Sequence, residues 1–520
     1  MVSRLLSLLV IAVLAFSSPA FAQDNVLNVG KYGQLSTYDP HAGALDTLWW
    51  TLNNFYESLV DLNDDISGLR PVLATAWQVA PTGKTYTLTL RSGVKFNDGT
   101  PFDSAAVKFS VERAQALKKA ASLYVKPIVK VETPSPTTVV FQLDKPNNAF
   151  LAGLRFLLIV SPKAVRDHEK GGDSAEGWLR DHTAGTGPYT LEKWEPNIIH
   201  VAQKNPGYWR GWPAGKFTTL NLRHIYEPET QRIMLEKGEL DIAENVTKDS
   251  LAALKRNPSL TVYEKAGTTM MVTFLNTQAG PTKDLRVREA LNYLWNQEAF
   301  NAITGHAANA GPLYPPLLGR DWKPENPYSY NPARAKQLLT EAGYPNGGFQ
   351  LRFQSQKGDV DKRAIFEIFQ AELSKLNITV EFLDDTWPAL VKRATDWGAT
   401  RDPGTAVHMF AYFRPMFTPT PYDFLFQMYH SDAYPTKGGR NFTYYTNPEY
   451  DRLVNDSVVS LDAPREQRQL RQAAELLWKD AAIVVNGRIV DKIAMRKDVK
   501  GFIYEGDRIS YRYWDMFRER

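Results

Sequence analysis

At 520 residues, with 43% hydrophobic, 23% charged and 12% aromatic content, the chain is long enough for two or three domains and too apolar for disorder. A formal net charge of +4 excludes the strongly basic face that nucleic acid or an anionic membrane demands, so neither is expected as a partner. The absence of cysteine excludes disulfides, thiolate metal sites, thiol nucleophiles and the lipidated cysteine that tethers many exported bacterial proteins.

Arg4 precedes an apolar run over residues 5–16, too short to span a bilayer, and small residues follow at Ala20-Phe21-Ala22. This predicts a cleavable signal peptide over residues 1–22 and a periplasmic protein without a lipid anchor. Residues 26–29 then read as a short strand, followed by the loop Gly33-Gln-Leu-Ser-Thr-Tyr-Asp-Pro40 and a helical stretch to Leu59. Tyr86, Leu88 and Leu90 alternate with threonines as a half-buried strand does, and Asp103 is placed to cap a helix burying Val107, Val111 and Ala114. The glycines of Ala184-Gly-Thr-Gly-Pro-Tyr189 match no phosphate or dinucleotide loop and read as a structural turn.

A helix is expected from Glu227 to Gly238, with the β-like Leu240-Asp-Ile-Ala after it. Asn331 as cap, Pro332 at the first helical position and Gly343 past the end bracket another helix. Ile365, Ile368, Phe369 and Leu373 repeat at helical spacing, and Ile378, Val380 and Phe382 alternate as the next strand. Leu470, Ala473, Ala474 and Leu477 mark the last long helix. The recurrent order of strand, helix and strand predicts an α/β fold with mixed sheets.

One stretch, 408–426, concentrates aromatic residues around a single cation, Arg414, and holds Pro415, Pro419 and Pro421. The prolines predict an ordered loop, and aromatic walls with few polar groups suit a small-molecule pocket. Catalytic patterns are missing: the eight histidines are dispersed, and there is no His-Glu-x-x-His helix or Gly-x-Ser-x-Gly elbow. No enzyme activity, cofactor or metal is therefore expected; a hydrolase assembled from distant residues is the alternative.

Leu73-Ala-Thr-Ala-Trp77, Gly93-Val-Lys-Phe-Asn-Asp-Gly-Thr-Pro-Phe102, Gly185-Thr-Gly-Pro-Tyr189, Asn441-Phe-x-x-Tyr445 and Tyr450-Asp-x-Leu453 appear in that order. Together they resemble the family 5 solute-binding proteins of ABC importers for dipeptides, oligopeptides, nickel chelates and opines. The resemblance implies a three-domain, two-lobed fold that closes about a hinge. Domain I would comprise residues 23–60, 186–275 and 485–520, domain II 61–185 and domain III 276–484, with hinge crossings near Asn276 and Val485. It also implies a small-molecule or peptide ligand, an inner-membrane ABC permease with ATPase subunits as partner, and a monomer. A periplasmic receptor for chemotaxis or sensing is the other reading.

In peptide-binding relatives, an acid in this region holds the ligand's ammonium, yet residues 407–421 contain no acid. The resemblance therefore points to an anionic or neutral polar ligand group near Arg414, with Tyr412, Phe413 and Phe417 packing on its apolar parts. Thr420, Tyr422 and Asp423 follow in the same stretch. Trp387 and Arg440 are further candidates from domain III, and Tyr38 from the opposite lobe.

Overall fold

Alternating apolar residues build a four-stranded and a ten-stranded sheet, beside two short two-stranded ones, in the computed structural model, which describes residues 25–31, 35–43, 51–64, 68–119, 121–308, 311–319, 321–357, 359–414, 420–504 and 511–519. The expected signal segment lies outside them. After β1 (Val26–Lys31) the chain forms a module of β2 (Ala74–Val79), β3 (Thr85–Leu90), α1 (Ser104–Leu117), β4 (Ile128–Ser135) and β5 (Thr138–Leu143). Its antiparallel sheet, in order β2-β3-β5-β4, shares a core with α1. Asp103 caps that helix, accepting from the Ala106 N–H at 3.0 Å.

Next come β6 (Tyr189–Glu195), β7 (Ile199–Lys204), β8 (Thr219–His224), α2 (Pro228–Glu236), β9 (Ile242–Ala243), α3 (Lys248–Arg256) and the long β10 (Leu260–Leu275). Beyond it lie α4 (Gln297–Thr304), α5 (Pro332–Glu341), β11 (Gln350–Gln356), α6 (Val360–Ser374), β12 (Thr379–Asp385) and α7 (Trp387–Thr400). Then follow β13 (Met409–Arg414), α8 (Pro421–Tyr429), α9 (Pro448–Val458), α10 (Ala463–Lys479) and β14 (Ile483–Arg496). Asn331 accepts from the Arg334 N–H at 3.0 Å, and Gly343 takes φ +92°, so both ends of α5 form as their residue types dictate.

The second sheet has ten strands, in order β12-β11-β13-β10-β14-β9-β1-β8-β7-β6. It contains two parallel trios. In one, β1 pairs with β8 and β9; in the other, β11 pairs with β12 and β13. The antiparallel strands β10 and β14 join them. Their ladder runs from Leu260↔Arg496 to Ala266↔Val490, breaks, and resumes from Met270↔Arg488 to Phe274↔Ile483. The break spans residues 267–269 of β10, with a second irregularity between Met271 and Val272.

Strand polarity fixes what flanks this crossing. Residues 260–266 run antiparallel to β14, which is antiparallel to β9, so β10 leaves the first trio at its carboxyl end. It then runs antiparallel to β13, Met270 opposite Arg414, and so enters the second trio at that trio's carboxyl end too.

The stretch 408–426 departs from the loop predicted for it. Residues 409–414 form a strand inside the sheet, between β10 and β11, and Pro421 opens α8. The strand ends one residue before Pro415, and a proline at the first helical position loses no hydrogen bond, so these prolines mark boundaries and do not melt the whole stretch. Residues 415–419, Phe417 included, lie outside the described residues.

Gly185 and Gly187 explain the turn-rich landmark. A Cβ on Gly185 would stand 2.2 Å from the Phe55 carbonyl oxygen, and one on Gly187 would stand 2.5 Å from the Phe55 carbonyl carbon. The turn needs glycine because two backbone segments touch. A buried ion pair ties α1 to the segment after β1, Arg113 to Asp39 at 2.6 Å, and a second joins Arg155 to Asp61 at 2.7 Å.

Candidate ligand site

In open sheets with parallel strands, ligands bind beyond the strands' carboxyl ends, where connections leave in opposite directions. Both trios present such ends to the crossing. At the first, Lys31 closes β1, His224 closes β8 and Glu244 follows β9. At the second, Gln356, Asp385 and Arg414 close β11, β12 and β13.

The first edge is charged but internally matched. Lys31 is 2% exposed, donates to Glu244 Oε1 at 2.8 Å and lies 5.3 Å from the centre of the Tyr511 ring. Beside it, a ring nitrogen of His200 meets one of His224. Burial first, then the neighbouring His224 and Lys31, hold His200 down to about 3, so it is neutral at ordinary pH.

The second edge carries an aromatic cluster in which Tyr412 and Phe442 are buried in the core and Trp387 is half-buried at its rim. Trp387, at the start of α7, lies 5.8 Å from Tyr412 and 6.1 Å from Phe442, centre to centre. Arg440 donates to the Tyr412 hydroxyl at 2.7 Å and sits 5.7 Å from the Trp387 ring. The rings supply apolar area and the guanidinium supplies directed donors. Asp385 accepts from Gln354 Nε2 at 2.7 Å and from Arg393 Nε at 3.0 Å, which fixes the end of β12.

Three sequence candidates thus come together, Trp387, Tyr412 and Arg440. Phe413 does not join them. Strand alternation sends it to the opposite face, where its ring packs under Lys362 Nζ at 4.4 Å. Thr420 caps α8, its hydroxyl accepting from the Asp423 N–H at 3.4 Å. Tyr422 is half-buried, and burial, then Asp423, pushes its hydroxyl up; Asp423 accepts from Gln427 Nε2 at 2.9 Å. Arg414 ends β13 with its backbone opposite Met270.

Tyr38 is not a wall residue. It is fully buried, and its hydroxyl is occupied by His200 Nδ1 while its ring meets Phe55 and Trp194 edge-on at 5.2 and 5.5 Å. A polar ring tip buried in a core must find a partner there, and Tyr38 has found one. Asn276 lies just past β10, where its Nδ2 donates to the Val407 carbonyl at 3.0 Å and its N–H to the His408 carbonyl at 2.9 Å. Val485 is buried opposite Val272. Asn276 lies outside both irregularities of the ladder, whereas Val485, opposite Val272, borders the second. Lys31, Glu244, Gln354 and Arg393 escaped sequence reasoning, although Lys31 stands where the first strand gives way to a loop.

A sheet that joins two parallel trios through a two-strand crossing, with both carboxyl edges turned to that crossing, is the α/β architecture of a binding protein. The model of the bacterial extracellular solute-binding proteins, family 5, middle region, matches residues 68–435. The chain belongs to this family. It is 30% identical over 502 residues to the glutathione-binding protein GsiB of Salmonella paratyphi A, covering 94% of each chain. Its match to GsiB of Escherichia coli O157:H7 is 30% over 506 residues, 95% of this chain and 94% of the relative.

Among solved structures, it resembles the ABC transporter-associated periplasmic binding protein DppA of Helicobacter pylori in complex with the peptide STSA. The TM-score there is 0.81, with 25% identity over 95% of this chain and 98% of the other. A dipeptide-binding protein from Pseudoalteromonas in complex with Met-Leu shares the fold at TM-score 0.83, with 19% identity over 95% of this chain and 100% of the other. The chain is thus a substrate-binding protein of the ABC-importer type, from a family that binds solutes and does not catalyse. No described helix is long and apolar enough to cross a membrane.

Proposed function

We propose that this protein captures a peptide-like solute bearing an anionic group in the periplasm, after loss of residues 1–22 and without a lipid anchor, and delivers it as a monomer to an ABC permease with its ATPases. The observation that carries this reading is the convergence of both carboxyl edges on one crossing, with Trp387, Tyr412 and Arg440 on the second edge. The peptide-like class is supported by relatives named for glutathione and by solved structures titled with bound peptides. The anionic preference is supported by the acid-free stretch 407–421 and by Arg414 and Arg440. A buried ammonium without a partner is costly, so a ligand held by its amine fits this wall poorly.

The domain partition proposed is a first lobe built on the β9-β1-β8 trio with its inserted module, and a second built on the β12-β11-β13 trio. The hinge is proposed at residues 267–269 and Ile489, where the ladder is broken, and at Asn486, which the second irregularity leaves out of register beside Val485. Ligand favours the closed state because it touches both edges only there.

A thermal-shift and calorimetric screen of the purified mature protein tests this, across glutathione, dipeptides, opines, sugar acids and metal chelates. An acidic peptide-like hit whose affinity falls at least tenfold in Arg414→Ala, with the free protein's Tm unchanged, is expected. A tight neutral dipeptide hit indifferent to Arg414 would reject the anionic reading.

A further inference from the structure

Arg488 lies in β14 at the crossing itself, half-buried. Its Nε is buried without a hydrogen-bond partner, and its guanidinium makes no ion pair with any described residue. The one contact found for it is the face of Tyr314, 5.1 Å away. Other enclosed guanidinium groups of this chain are matched. Arg113 holds Asp39, Arg155 holds Asp61, and Arg288 donates to the carbonyls of Thr282, Lys283 and Asp480. An enclosed guanidinium nitrogen left without an acceptor is a cost the fold does not need, since an apolar side chain there would leave no donor unpaired.

The backbone holds Arg488 in place. Its N–H donates to the Ala307 carbonyl at 2.8 Å and its carbonyl accepts from the Ala307 N–H at 3.0 Å. Gly487 before it takes φ +147°, and a Cβ there would meet the Ala307 oxygen at 2.7 Å. Two further buried polar atoms flank the crossing without protein partners, Thr269 Oγ1 and Asn486 Nδ2. The register adds a second cation. Met270 of β10 pairs with Arg488 on one side and Arg414 on the other, so the two arginines occupy one cross-strand row. Two strand spacings set their Cα atoms roughly 10 Å apart.

Resting on the solute-capture reading, we propose that Arg488 is a ligand-binding residue that takes a carboxylate of the solute at the hinge, and that with Arg414 it selects solutes carrying two acidic groups. The first carboxylate falls to Arg414, whose place in the row is fixed by its backbone register opposite Met270. The second is received by the guanidinium on the crossing strand, whose planar donors match a carboxylate in a fork. Monoacids fill half of the row.

The test uses the full mature chain and three probes: glutathione, the Ala-Glu dipeptide and Ala-Glu with its side-chain carboxyl amidated. Calorimetry is run on wild type, Arg488→Gln, Arg488→Lys and Arg414→Ala. A wild-type preference for at least one diacid over the amidated probe of thirtyfold or more is expected. Arg488→Gln should erase that preference while leaving affinity for the amidated probe within threefold, and Arg488→Lys should restore part of it. The ligand-free Tm of Arg488→Gln should stay within about two degrees of wild type, because no ion pair or side-chain hydrogen bond to a described residue is lost and the Tyr314 face is the native contact given up. Diacid affinity unchanged in Arg488→Gln overturns the assignment while solute capture stands. A ligand-free Tm that falls further than this in that variant assigns Arg488 a structural role and overturns it as well. Wild-type binding of neutral dipeptides alone overturns the diacid class and leaves capture intact. If wild type binds none of the probes or dipeptides, the diacid class and the peptide-like reading fail together.

Discussion

Replacing Gly185 with alanine tests whether the Gly-Thr-Gly turn is a backbone contact or an anion cradle. The added Cβ would stand 2.2 Å from the Phe55 carbonyl oxygen, 2.6 Å from Tyr56 Cδ1 and 2.9 Å from Tyr56 Cα. Two of those three atoms are backbone, so a side-chain rotation cannot relieve the clash. Relief requires separating residues 54–57 from 184–189, which weakens the bonds from Gly187 N–H to Phe55 O at 3.0 Å and from Tyr189 N–H to Asn54 O at 3.0 Å. Overpacking costs about 1–3 kcal/mol, and a backbone clash belongs at the upper end. With each kcal/mol worth roughly 2–4 °C in a unit of 150–250 residues, a Tm fall of roughly 6–12 °C is expected by calorimetry. Gly68→Ala is the control, since its nearest neighbour, Asn63 Nδ2, would be 3.6 Å away. A Gly185→Ala protein within a degree of wild type, or a wild-type Tm raised by phosphate and a variant Tm not, would refute the contact reading.

Stability should also fall with acid through two buried histidines. Burial, then Arg113, holds His41 at about 4, and burial, then Arg352, holds His408 at about 4. Both imidazoles are neutral when folded and take a proton near 6.5 when unfolded, so their stabilisation is complete above about pH 6.5 and is lost as pH falls towards 4. Each contributes a slope of up to about 1.4 kcal/mol per pH unit in that window, read by urea melts at pH 7.5, 6 and 5; a flat profile would contradict the assignment. Glu466 behaves oppositely. Burial raises it to about 7, so its folded form favours the proton, and stability is lost as pH rises from about 4.5 through 7. Glu466→Gln should stabilise at pH 8 by roughly 1 kcal/mol, a value reduced for partial exposure and for its place in the first turn of a helix, and should gain nothing at pH 4.5.

Helix ends were the most legible feature of the sequence, because a cap such as Asp103 or Asn331 acts on residues three positions away. The family was legible from motifs taken in order. Tyr38 was not, since its partner His200 lies 162 positions on and nothing local announces it. The stretch 408–426 misled in a different way: prolines were weighed over its whole length, although each acts only on its own bond and its neighbour. The chain crossings were partly readable. Glycines at 267 and 487 inside two long apolar runs are the signal of a bulge or a close backbone approach, and the ladder breaks beside both.

The placement of cations explains how such a site divides its tasks. On the proposed site, a residue of the second edge such as Arg440 would share a ligand with the first edge only when the lobes shut, so its interaction would add to closure. Arg488 sits on the strand about which the lobes would turn, and its distance to a ligand seated on the crossing changes little between states. An interaction made equally in both states raises affinity without shifting their populations. On these two proposals, selection by Arg488 and closure by the second edge would be separable: charge at the crossing would decide which solutes dwell, and the aromatic edge whether the shut form is populated.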